Sequence, residues 1–183
     1  MLLHRMGTLE RVIGFAVPIF LVGCEAAPLA PPQLKTAAMA SVQASVKETI
    51  GGTISFDGVG SVAGFRVTPG GQCFFLGVET HSQLAGDVAG PITFYENERA
   101  PCDLSHLTGN GPFVAHVTWN GASGTISGEW TTNCKPDASQ PIGLSCDGTM
   151  NARGSEGLDG VQFHFKWGPG WYPFAYSGTA FSH

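Results

Sequence analysis

Glu79-Thr80-His81-Ser82, with Asp87 just beyond, brings an acid, an imidazole and a hydroxyl into one short segment. These are the groups of a Ser/His/Asp nucleophile. The segment lacks the G-x-S-x-G elbow that would expose such a serine, so it reads as an ordinary solvated strand end. Glu96-Asn97-Glu98, with Asp103 nearby, supplies paired carboxylates for glycosidic hydrolysis or oxygens for calcium, though without EF-hand spacing. This cluster reads instead as the solvated end of a hairpin pinned by Cys102. His116 and His164 alternate with apolar residues, which places them on the polar faces of their strands. Cys73, Cys102, Cys134 and Cys146 show neither the CxxC nor the His-x-His spacing of a metal centre. No catalytic residue, metal or cofactor is assigned.

Those four cysteines are an even set, which in an exported chain points to two disulfides. Cys134 and Cys146 flank a Pro-rich loop between two expected strands. Cys73 and Cys102 flank the turn at Gln83-Leu84-Ala85-Gly86-Asp87. Of the three possible pairings, that arrangement ranks the nested hairpin staples Cys73–Cys102 and Cys134–Cys146 first. Cys24 stands apart. It closes a basic start (His4, Arg5, Arg11) and an apolar run from Val12 to Val22, half the length of a membrane helix and suited to a signal core. Leu21-Val22-Gly23-Cys24 resembles the lipobox of bacterial lipoproteins. The resemblance implies lipidation of Cys24, removal of residues 1–23 and an envelope location. Because Glu25 rather than aspartate follows, it favours the outer membrane, facing the periplasm. Removing 23 residues from 183 leaves 160, with 7 basic and 13 acidic side chains.

Elements that hold these groups in place must come from a chain with 26 glycines and only 13% charged residues. With no basic stripe, nucleic acid is excluded as a partner; the expected partners are a membrane, through the lipid, and a small ligand. Residues 24–48 hold Pro28, Pro31 and Pro32 and no aromatic residue, as suits an extended tether. From residue 49 to 183 apolar and polar residues alternate between glycines, the signal of strands and turns. Phe113-Val114-Ala115-His116-Val117-Thr118-Trp119 alternates cleanly and runs into Asn120-Gly121, a strong hairpin turn. The pattern marks nine candidate segments, 50–57, 61–67, 73–80, 90–96, 112–119, 124–132, 146–152, 160–167 and 174–181, read together as about eight strands. No long crossover interrupts them, so an all-β, antiparallel up-and-down barrel is expected, with a β-sandwich as the alternative.

Gly148-Thr149-Met150-Asn151-Ala152-Arg153-Gly154-Ser155-Glu156-Gly157-Leu158-Asp159-Gly160-Val161 and Tyr176-Ser177-Gly178-Thr179-Ala180 resemble the closing hairpin of allene-oxide-cyclase-like and dirigent-like barrels of the broad calycin type. Thr80 to Asp87 is similar to an earlier strand-to-turn segment of those proteins. The resemblance implies an antiparallel barrel with an apolar interior and carries over no catalytic residue. An inner face bearing Phe113, Trp119, Phe163, Phe165 and Trp167 then leads to the expected function, binding of a small apolar or amphipathic ligand without catalysis. An envelope interaction module with a filled barrel and a cyclase or isomerase are the rival expectations. Trp171 and Tyr172, between prolines, read as a plug at one barrel end, as a stacking platform for a sugar or as the lip of an apolar pocket.

Overall fold

The structure, a computed structural model, describes residues 45–182. The signal segment, the lipobox at Cys24 and most of the tether lie outside the described residues. Eight antiparallel strands close into one barrel in chain order: β1 (Val46–Val67), β2 (Gln72–Gly86), β3 (Val88–Pro101), β4 (Leu107–Trp119), β5 (Ala122–Pro136), β6 (Leu144–Glu156), β7 (Gln162–Gly170) and β8 (Phe174–Ser182). The ring closes where β1 pairs with β8, from Val46 opposite Ser182 to Ile54 opposite Phe174. Closure removes most of the free edges that an open sheet would expose.

Alternation explains which way each strand faces. Along β4, Phe113, Ala115, Val117 and Trp119 are buried while Val114, His116 and Thr118 are exposed. Most of the other strands alternate in the same way, with Thr80, Ser82, Glu96 and Thr132 as inward polar exceptions. A membrane-spanning barrel turns its apolar band to the lipid instead. Burying a ring such as Phe113 or Phe163 contributes on the order of 2–3 kcal/mol, and both are almost fully shielded from solvent.

One departure from expectation sits in β1. The segments 50–57 and 61–67 are one continuous strand, because Asp57 and Gly60 are extra residues opposite β2 rather than a turn. Bulges of this kind bend and twist a strand without ending it. β1 also begins at Val46, inside the stretch that reads as tether. Beyond Ile54 it has no β8 partner, so this part of β1 runs as an edge ribbon paired with β2 alone, while β2 itself pairs with β3 throughout. Phe56, Val59, Val62 and Phe65 on this ribbon are 44–58% exposed.

The two disulfides are Cys73–Cys102 and Cys134–Cys146. Cys134 lies directly across from Cys146 in the β5–β6 ladder, and Cys102 follows the last residue of β3. Both pairs staple the barrel end that carries the β1–β2, β3–β4, β5–β6 and β7–β8 connections. That end is the mouth. The opposite end is closed by packing: Leu158 fills the β6–β7 turn, and the Tyr176 hydroxyl donates to the Val88 carbonyl (2.9 Å) and accepts from its N–H (3.1 Å).

Candidate functional site

At the mouth the barrel holds an open cavity of about 280 Å³. Its floor is the packed half of the core, where Phe113, Ile126, Met150, Phe163 and Phe165 are buried. Its wall is a chain of rings. Trp130 lies 5.1 Å from Phe94 and 6.2 Å from Trp167; Trp167 lies 4.6 Å from Phe174; Phe174 lies 4.3 Å from Tyr172; and Tyr172 lies 5.3 Å from Phe56 on the ribbon. Trp171 packs edge-on against Tyr172 at 5.4 Å. Of the readings open for the β7–β8 connection, the lip of an apolar pocket is the one the structure places there: its two rings form one side of the cavity.

On β4 the residue opposite Glu98 is Gly109, and a Cβ there would meet Thr132 Cγ2 at 3.0 Å and Glu98 Cγ at 3.2 Å. Glycine at this position therefore lets the side chains of Glu98 and Thr132, which line the cavity, pack against the β4 backbone.

Among those inward side chains is a carboxyl. Glu96 lines the cavity and is only 6% exposed, where the sequence reading makes it solvated. The signal was present in the alternation: Ile92, Phe94 and Glu96 share one face of β3, and Ile92 and Phe94 are core residues. Glu96 Oε1 accepts a hydrogen bond from the Thr80 hydroxyl at 2.5 Å. Burial, then a hydrogen bond and charge from Glu98, push its pKa up to about 8, against the lowering effect of Thr80. Burial likewise raises Tyr172 to about 12, helped by the negative charge of Glu96. Trp130 Nε1–H is buried without a hydrogen-bond partner.

Of the five residues expected to bind ligand, Trp167 lines this cavity. Phe113, Trp119, Phe163 and Phe165 are brought together in the core beneath it, with Trp119 5.4 Å from Phe163 and Phe163 stacked 5.9 Å from Phe165. The triad-like segment is pulled apart by the pleat. Ser82 points inward and His81 outward, as neighbours on a strand must. His81 meets Glu79 on the outer surface, Nε2 to Oε1 at 3.4 Å, and Thr93 Oγ1 at 3.3 Å from Nδ1, away from Glu96. Asp103 lies in the exposed β3–β4 loop. His116 and His164 are exposed and pair with Thr125 (3.0 Å) and Asn151 (2.7 Å). Among the described residues no group of three His, Cys, Asp or Glu side chains is arranged to hold a metal ion.

No protein-family model, curated protein or solved structure significantly matches the chain.

Proposed function

We propose that this protein is an exported, lipid-anchored β-barrel that binds a small apolar or amphipathic molecule at the barrel mouth. The observation that carries the reading is the cavity of about 280 Å³, walled by tryptophan, tyrosine and phenylalanine over a filled floor. Ligand sites are concave, mostly apolar and furnished with a few polar groups, and run upward from about 300 Å³; this cavity suits a small ligand. Two acyl chains or more on Cys24 would hold the protein at a membrane.

The test is saturable uptake of a neutral fluorescent naphthylamine probe by the whole chain carrying Cys24→Ser, so that no attached lipid competes. One probe per protein is expected. Val59→Trp and Ile142→Trp, at exposed positions in the cavity rim, should weaken uptake while the protein stays folded. Absence of saturable uptake, or uptake indifferent to both substitutions, overturns the reading. For the anchor, the Cys24→Ser chain should lose metabolic lipid labelling, and a labelled variant would refute it.

A second reading, an envelope interaction module, draws on the apolar ribbon of β1. Its test is crosslinking in the envelope, with one dominant partner lost on Val62→Lys.

A further inference from the structure

We infer that the ligand of the mouth cavity carries a positive charge: an amphipathic ammonium compound whose cationic head sits against Glu96 and Glu98 within the aromatic wall. The inference rests on the ligand-binding reading above and deepens it. The cavity wall contains two carboxyl side chains and no lysine, arginine or histidine. One of them, Glu96, is more than nine-tenths buried, and an ionised carboxylate so placed is costly without a counter-charge. A structural pair would bring its own cation from a neighbouring strand. Here each neighbour supplies something else. β2 offers the Thr80 hydroxyl, β5 offers Thr132 and Trp130, and the β7–β8 connection offers the Tyr172 phenol. Among the described residues, the only other carboxyl facing the site is Glu98, of the same sign.

The rest of the wall suits a cation for a separate reason. Ring faces attract ammonium groups through their quadrupoles, by roughly 0.5–2 kcal/mol per contact, and aromatic cages are the recurring solution for quaternary ammonium. Trp130, Trp167, Trp171, Tyr172 and Phe174 surround the same space as the carboxyls. Trp130 is 5% exposed and its Nε1–H has no acceptor, an opening that an oxygen near the ammonium centre would fill. An aliphatic side, from Val59, Val78, Leu104, Leu107, Ile142 and Leu144, takes the apolar tail. A carboxylate or sulfate headgroup would meet charges of its own sign.

The experiment compares decyl compounds of equal tail length below their micelle concentrations: decyltrimethylammonium, decyl sulfate and decanol. Each competes against the neutral naphthylamine probe on the Cys24→Ser chain. The ammonium compound is expected to bind at least about tenfold tighter than the sulfate at pH 8.5. That preference should grow from pH 6 to pH 9, as Glu96 yields its proton and a fuller negative charge faces the head. Glu96→Gln, and separately Glu98→Gln, should lower the ratio of ammonium to decanol affinity several-fold. Equal binding of the three compounds, or an ammonium preference untouched by both substitutions, overturns this inference and leaves the ligand-binding reading standing. Failure of every compound, decanol and the probe included, overturns both.

Discussion

Replacing Glu96 by glutamine should turn a pH-dependent barrel into one that is much less so. The carboxyl is buried and titrates at about 8 in the folded protein, against an ordinary 4.5. The folded state therefore holds this proton more tightly than the unfolded chain does. Its contribution to stability is fully present below about pH 4.5 and is lost progressively as pH rises through about 8. At about 1.4 kcal/mol per pH unit, the difference between 4.5 and about 8 comes to about 5 kcal/mol at most. That is comparable with the whole stability of many domains, about 5–15 kcal/mol. Glutamine keeps an acceptor for the Thr80 hydroxyl and removes the titration. Other perturbed groups fall outside the window. Hydrogen bonds from Ser105 and Ser139 hold Asp103 and Asp137 below their ordinary 3.8, so their contributions fade only in acid, and Tyr172 titrates near 12. Urea denaturation followed by tryptophan fluorescence, without reductant, at pH 5 and pH 9 measures the effect. The stability gap between Glu96→Gln and the parent should widen by several kcal/mol in favour of glutamine at pH 9. A gap constant to within about 0.5 kcal/mol would refute the reasoning, because differences of that size are ordinary for surface changes.

Gly52→Ala should destabilise by roughly 1–3 kcal/mol, since its Cβ would fall against the Ala85 carbonyl oxygen and 2.7 Å from the Tyr176 hydroxyl. Gly58→Ala, with nothing within 4 Å, is the control and should differ little in denaturant midpoint. Tyr176→Phe should cost about 1–3 kcal/mol in the same assay, because it leaves both backbone groups of Val88 without this hydroxyl. Removing Cys134 and Cys146 together should cost about 2–4 kcal/mol and make thermal unfolding insensitive to reductant at that hairpin. Intact mass without reductant should show four hydrogens fewer than the reduced chain if both staples form, and full free-thiol reactivity would contradict them.

Much of the barrel is written in period-two alternation. Phe113 to Trp119 and Val161 to Trp167 announce both their strand character and their inward faces, because a half-buried strand tolerates no other order. The Asn120-Gly121 turn is equally local: both residues adopt positive φ in the structure (49° and 78°). Gly58 and Gly60 mislead because glycine marks turns and bulges alike, and only pairing with β2 tells them apart. Glu96 misleads in another way. Acidic residues near a strand end are usually solvated, and its place on the Phe94 face carries weight only once the barrel is known to continue past that point.

The residues alone therefore carry strand type and most of the facing, and rank the two hairpin staples first, since each depends on neighbours a few positions away or across one turn. The cavity is a property of the closed ring. Phe56, Glu96, Trp130, Trp167 and Tyr172 come from four strands and a connection, and nothing in their spacing along the chain brings them together. Closure and strand stagger do, because they determine which inward positions share a level. The same closure gives Glu96 its unusual proton affinity, which follows from the low-dielectric surroundings that eight strands make jointly.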